Sequence, residues 1–90
     1  MPWSVEVSAD AEKQLSKFPR NVQGRIKRAI NEFEEKDESQ WSNVKALQGP
    51  EWKGRFRKRV GAYRIIFRKF PDRDVVEVSS ILIKSKDTYR

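Results

Sequence analysis

The sequence predicts an α+β fold of the order β-α-α-β-β-β, in which an N-terminal helix hairpin covers one face of an antiparallel sheet. Three observations predict it. The N-terminus alternates apolar and polar residues, residues 9–36 carry apolar residues at helical spacing, and three strand-like segments follow residue 51. With 90 residues, the chain is expected to form a single domain spanning residues 1–90.

The first two elements are a short strand and a short helix. Residues 2–7 place Trp3, Val5 and Val7 in alternation with polar residues, which is typical of a strand. Ser8 and Asp10 are both plausible N-caps for a helix over residues 9–18. The proline that follows ends this helix.

A second helix is predicted from residue 20 or 21 to about residue 36. Its apolar residues recur at helical spacing and form one stripe: Val22, Ile26, Ala29, Ile30 and Phe33. The two helices therefore form a hairpin with one apolar side. Residues 37–51 read as irregular, anchored by Trp41, Val44 and Leu47, and part of this segment is also compatible with an extension of the second helix.

Three strands are predicted at about 52–59, 62–69 and 74–84. The turn at residues 71–74 has the composition of a hairpin turn, and consecutive hairpins make an antiparallel sheet. If the helix hairpin covers one face of this sheet, the other face is left open.

The open face is predicted to be strongly cationic. Residues 53–69 hold eight Lys or Arg and no acidic residue. Since side chains alternate along a strand, one face of the first hairpin strand receives four cations: Lys53, Arg55, Arg57 and Arg59. Like charges packed side by side are unfavourable unless an anion joins them, and phosphate is the obvious candidate. The alternative is a solvated basic face kept for solubility.

The composition agrees with an acidic partner and excludes several kinds of chemistry. The formal charge is +7, and five acids crowd into residues 32–38, which leaves the rest of the chain more basic. The absence of cysteine excludes disulfides and thiolate chemistry, and the absence of histidine removes the usual general base and commonest metal ligand. We therefore expect no metal and no cofactor.

No apolar run approaches the ~20 residues of a membrane span and no signal pattern is present, so a cytoplasmic location without membrane contact is expected.

The tryptophans admit two interpretations. At alternating strand positions Trp3 and Trp52 are expected to belong to the core. An exposed tryptophan, in contrast, can stack on a nucleobase.

Three segments together resemble the RelE/ParE toxin superfamily. They are residues 47–49 (LQG), residues 52–67 (WKGRFRKRVGAYRIIF) and residues 84–89 (KSKDTY). The superfamily pattern is L-x-G, then R-x-R-x-G-x-Y-R followed by hydrophobic residues, then a tyrosine soon after a C-terminal basic cluster. The leading strand and helix hairpin also fit. The resemblance implies the toxin of a type II toxin–antitoxin system, held inactive by a small antitoxin protein.

The resemblance also implies roles for individual residues. Arg55 and Arg57 match the paired strand lysines of RelE toxins, Arg59 matches a phosphate-binding arginine, and Arg64 matches the arginine of the Tyr-Arg pair. Tyr89 matches the C-terminal catalytic tyrosine. The expected catalytic set is Arg57, Arg64, Lys84 and Tyr89, and the expected RNA-binding set is Lys53, Arg55, Lys58, Arg59 and Lys86.

Two departures from the RelE pattern concern the proton transfers. Arginine is a poor general base because its pKa lies above about 12, so the base must be one of the lysines or Tyr89, and Lys84 is preferred. In addition, Ser85 stands where the family often has arginine.

Three functions remain open from the sequence. RelE-type members cleave mRNA in the ribosomal A site without metal, and the dense strand arginines favour this mechanism. ParE-type members inhibit DNA gyrase and need no nuclease site. The third possibility is a plain RNA-binding module or an inactive relative.

Overall fold

A computed structural model describes residues 3–83 of the chain. Within this range the secondary structure comprises two helices and five strands: β1 (Ser4–Val7), α1 (Ala9–Ser16), α2 (Arg20–Glu35), β2 (Val44–Ala46), β3 (Phe56–Val60), β4 (Tyr63–Phe70) and β5 (Val75–Ile83). Two 3-10 turns, Glu38–Gln40 and Pro50–Trp52, flank β2. None of the helices in residues 3–83 is long and apolar enough to cross a membrane.

The strands form one sheet in the order β1-β5-β4-β3-β2. The three C-terminal strands pair antiparallel, as the hairpin turns predict. The helix hairpin carries the chain from β1 back to the sheet, where β1 pairs parallel with β5, so the sheet is mixed although mostly antiparallel. The predicted α+β fold and its helix-covered sheet are therefore confirmed.

The segment predicted to be irregular contains a strand that was not predicted, β2. Residues 44–46 pair antiparallel with β3, and three residues are too few to show alternation in the sequence. The strand predicted from residue 52 instead begins at Phe56, because Pro50–Trp52 forms a 3-10 turn. The second helix does not extend beyond Glu35.

Ser8, and not Asp10, caps the first helix. Its hydroxyl accepts a hydrogen bond from the Ala11 amide at 3.1 Å and donates one to the Ser79 carbonyl at 2.8 Å. The N-cap therefore also ties α1 to β5. The helix ends at Ser16, two residues earlier than predicted, and α2 begins directly after Pro19.

The core lies between the helices and one face of the sheet, in two clusters. The first contains residues from both helices and the two long strands: Ala11, Val22, Ile26, Ile30, Ile65, Val78 and Ile81. The second contains Phe33, Trp41, Phe67 and Val76, and Trp3 packs against it as predicted. Burial of both clusters fixes which side chains of each strand face the helices and which face away.

Candidate functional site

The cations of β2, β3 and β4 lie in two rows across the open face, the sheet face opposite the helices. In the first row Arg57 lies between Lys45 on β2 and Ile66 on β4. In the second row Arg59 lies beside Arg64. Paired residues point to the same face, and their strand neighbours Lys58 and Ile65 point to the helices, so both rows face away from the core.

We call this set, together with Arg55, the cationic face; its members are Lys45, Arg55, Arg57, Arg59 and Arg64. Lys45 was not among the predicted site residues, because β2 was not recognised. Three residues are too few to show alternation, so no local pattern in the sequence indicated Lys45.

Arg64 is the most unusual member of the cationic face. Its side chain is 3 % exposed, and its Nη1 donates a weak hydrogen bond to the Tyr63 carbonyl at 3.4 Å. Its buried Nε atom has no hydrogen-bond partner among the described residues. Within residues 3–83, this buried guanidinium with an unsatisfied donor and a second arginine alongside forms a local excess of positive charge that an anion would relieve.

Arg57 and Arg55 are held in place by contacts at opposite sides of the sheet. The Nη1 atom of Arg57 donates to the Asn43 carbonyl at 2.8 Å, just before β2. The Nη1 atom of Arg55 donates to the Ser79 hydroxyl on β5 at 3.2 Å, so this side chain reaches across β4. Ser79 is the extra residue of a β-bulge opposite Ile66 and Phe67. Bulges re-aim side chains, and this one provides the anchor for Arg55.

Lys58 was predicted to bind RNA, and its placement corrects that prediction. Its side chain is 3 % exposed on the helix side of the sheet, where Nζ forms an ion pair with Glu32 of α2. The same ammonium donates to the Ser42 carbonyl at 2.7 Å. Lys58 therefore joins β3 to α2, and its ammonium is paired with Glu32 on the side of the sheet opposite the cationic face.

The carboxylate of Glu32 titrates below its ordinary range. Burial acts to raise its pKa, but the hydrogen bond from Lys58 and the one from the Ser42 amide at 2.9 Å together outweigh burial and lower the pKa. Glu32 is thus held ionised on the helix side of the sheet. There it compensates the charge of Lys58 and not the charges of the arginines on the opposite face.

The other predicted residues divide by location. Arg59 is exposed on the cationic face, and Lys53 is exposed in the turn after Trp52, outside the paired rows. Lys84, Lys86 and Tyr89 lie outside the described residues, so the predictions for them remain predictions. The last described strand ends at Ile83, opposite Tyr63 and next to the row that holds Arg64.

Positive charge is concentrated on one side of the open face. At the other side Glu6 on β1 pairs with Glu77 on β5. Arg68, which also points to the open face, lies opposite Glu77 in the register. An anionic ligand is therefore attracted toward β2, β3 and the start of β4.

A cleft of about 280 Å³ opens beside the first row. Its walls come from the end of β2, the following turn and β3: Lys45, Ala46, Leu47, Gln48, Trp52 and Arg57. Trp52 was expected in the core, but it is only partly buried and lines this cleft. The 3-10 turn at Pro50–Trp52 removes it from the strand alternation on which that prediction rested.

Several solved structures share this fold, and some of them are toxin–antitoxin complexes. The toxin–antitoxin complex RelBE2 of Mycobacterium tuberculosis matches with a TM-score of 0.71 and 24 % identity, over 93 % of each chain. The archaeal RelE–RelB complex of Pyrococcus horikoshii matches with a TM-score of 0.71 and 23 % identity, over 96 % of this chain and 99 % of that one. YafQ of Escherichia coli matches with a TM-score of 0.72 and 14 % identity, over 91 % and 93 %. At these identities the likeness establishes the fold.

A search of curated proteins gave no significant match. The family model described as the ParE toxin of type II toxin–antitoxin systems, parDE, matches residues 5–88, nearly the whole chain. Together with the RelE-like fold, this match shows that the chain belongs to the RelE/ParE superfamily of toxins of type II toxin–antitoxin systems.

Proposed function

We propose that this toxin is a metal-independent endoribonuclease that cleaves mRNA on the ribosome and thereby inhibits translation. The observation that carries the proposal is the row of Arg59 and Arg64 on the open face, where the buried Nε of Arg64 has no hydrogen-bond partner within residues 3–83. The guanidinium group of Arg64 is well suited to a phosphate that gains negative charge during cleavage, and that of Arg59 beside it can hold a neighbouring phosphate. A toxin whose target is a protein alone would require fewer phosphate-binding groups.

In the proposed reaction the 2′-hydroxyl of one nucleotide attacks the adjacent phosphorus. A base removes the proton of that hydroxyl, a P–O2′ bond forms, the P–O5′ bond breaks, and an acid protonates the leaving 5′-oxygen. Arg64 and Arg57 would stabilise the additional charge on the phosphorane, and Arg55 and Arg59 would hold the flanking phosphates. Fixed donors are effective because little reorganisation is needed as charge develops, and the anchors at Asn43 and Ser79 provide such fixation.

The proton transfers are assigned to residues beyond β5. Lys84 is our candidate for the base and Tyr89 for a second proton carrier, with Lys86 as a phosphate ligand. Lys53 remains an exposed candidate for phosphate binding, whereas Lys58 is left out because its ammonium is paired with Glu32 on the helix side of the sheet.

The proposed protein partner is a cognate antitoxin. Solved structures with this fold include complexes of RelE toxins with RelB antitoxins. The cationic face of this chain is suited to an acidic antitoxin segment, which would block access of RNA.

A second candidate is supported by the family model, which is that of ParE. In that case the same cationic face would contact DNA or gyrase, and no nuclease site would be needed.

The order of events in cells distinguishes the two functions. After toxin induction, incorporation of labelled amino acids should stop within minutes, while DNA supercoiling and replication continue for a time. Early double-strand breaks with translation intact would instead support gyrase inhibition.

A further inference from the structure

The cleft beside the cationic face has the composition of a site for one nucleotide. It has an aromatic side chain in Trp52, an aliphatic one in Leu47 and an amide in Gln48, with cations in Lys45 and Arg57. Its volume of about 280 Å³ lies near the lower limit for small-molecule pockets, so it suits a single planar group better than a larger ligand.

Backbone hydrogen bonds shape the cleft. The Leu47 amide donates to the Arg55 carbonyl at 3.0 Å, which closes the loop at its base. Inside the loop the Trp52 amide donates to Gly49 at 3.1 Å, and the Arg55 amide donates to Trp52 at 2.9 Å. Gly49 has a φ of 101°, a conformation that favours glycine. The backbone that carries Trp52 is therefore held in a hydrogen-bonded turn, and little ordering of this backbone is required when a ligand binds.

Arg57 connects the cleft to the proposed cleavage site. It lines the cleft and also belongs to the first row of cations, beside Lys45. A strand of RNA whose phosphates follow these cations would bring a base to Trp52. Aromatic side chains stack on unpaired bases, and a side-chain amide can form paired hydrogen bonds with a base edge.

We propose that this cleft binds one unpaired nucleobase of the RNA next to the cleaved phosphate. The base stacks on Trp52, Lys45 and Arg57 hold its phosphate, and the amide of Gln48 distinguishes among bases. This inference rests on the proposed function and adds a base-selecting subsite to it. Docking of an apolar helix would not account for the two cations in the cleft, and binding of a purely acidic peptide would not account for the indole.

The test measures tryptophan fluorescence of the full chain during titration with 2′-O-methylated trinucleotides, which cannot be cleaved. Stacking should quench the wild type saturably, and Trp52→Leu should lose the quench and weaken binding by about tenfold or more. Trp3→Phe is the matched control, because Trp3 packs against the core, and it should retain the quench. Circular dichroism verifies that each variant is folded.

A second variant tests base selection. With trinucleotides that differ in one base, Gln48→Leu should reduce the differences in affinity among the bases and retain the quench. Equal quenching in wild type and Trp52→Leu, or a base preference unchanged by Gln48→Leu, would overturn the assignment of the cleft. The quenching assay needs neither the ribosome nor cleavage, so it tests base binding separately from the nuclease function. If quenching is intact but no mRNA is cleaved, the nuclease function is refuted while binding of a base in the cleft is retained.

Discussion

Arg59 and Arg64 lie directly opposite each other on neighbouring strands, and both point away from the helices. Like charges in opposed positions destabilise a sheet, and here one partner is 3 % exposed, with its Nε unsatisfied within the described residues. Among residues 3–83 nothing compensates this repulsion, and under the proposed function a phosphate of the RNA would do so. We interpret the opposed arginines as a feature that lowers the stability of the sheet and serves phosphate binding.

Replacement of Arg64 by alanine should lower the rate of mRNA cleavage by about 10²–10³-fold, the usual effect of removing one donor to a developing charge. The protein should still fold, because relief of the repulsion with Arg59 offsets part of the lost packing. The matched control is Arg68→Ala, which removes an exposed arginine of the same strand and face, opposite Glu77. Cleavage assays should separate the two variants clearly, and an Arg64→Ala protein with wild-type activity would refute the assignment.

Binding of uncleavable single-stranded RNA should weaken steeply with salt. Each phosphate contact contributes a slope of about −0.7 to log K against log salt, so Arg59→Gln should reduce the slope by about that amount. Arg28→Gln makes the same change of charge on an exposed position of α2 and serves as control. Equal slopes for the two variants would mean that net charge, and not the cationic face, drives binding.

The ion pair of Glu32 and Lys58 should support the fold and not the activity. Glu32→Ala leaves the Lys58 ammonium buried without its carboxylate and should cost about 3–5 kcal/mol of unfolding free energy, measured by urea denaturation. The double variant Glu32→Leu/Lys58→Met, which buries no charge, should recover much of this loss. A Glu32→Ala protein as stable as wild type would contradict the role of the pair.

The pH dependence of this contribution has a defined sign. The folded pKa of Glu32 lies below its ordinary value of 4.5, so its contribution to stability is present above that pH. It is lost as the pH falls below 4.5 and through the lowered pKa of the folded state. Wild type should therefore lose stability over this acid range more steeply than the double variant. Parallel curves of unfolding free energy against pH for the two proteins would contradict the assigned role of Glu32.

Two glycines should respond to alanine with opposite signs. Gly61, in the turn between β3 and β4, has a φ of 58°, and a Cβ there would lie 2.6 Å from the Nη2 atom of Arg25. Gly61→Ala should therefore destabilise the protein by about 1 kcal/mol. Gly24 lies inside α2, where an added Cβ would have no described atom within 4 Å apart from its own helix backbone, so Gly24→Ala should stabilise by about 0.5–1 kcal/mol. Thermal unfolding of both variants provides the test.

Alternation along the first hairpin strand was sufficient to predict that Arg55, Arg57 and Arg59 share one face, but it failed for Lys53, which lies in a turn, and for Lys45, which lies on the unpredicted β2. The same pattern places Lys58 among the core-facing residues, yet its basic neighbours suggested RNA binding. Its partner Glu32 is 26 residues distant, and no local pattern reveals that pair.

Features that depend on irregular backbone were not predictable in this way. The 3-10 turn at Pro50–Trp52 removes Trp52 from the strand alternation and creates the cleft. The bulge at Ser79 positions the anchor of Arg55, and no residue type in the sequence signals it. The short β2, which brings Lys45 into the site, becomes visible only through its pairing with β3.

Primer extension on a message translated by purified ribosomes, with and without the toxin, tests the central claim most directly. We predict toxin-dependent cleavage within the codon in the ribosomal A site, absent when the message is not translated, strongly reduced with Arg64→Ala, and reduced with Tyr89→Phe. An intact message at toxin concentrations that arrest growth, together with inhibition of DNA gyrase by the same preparation, would contradict it.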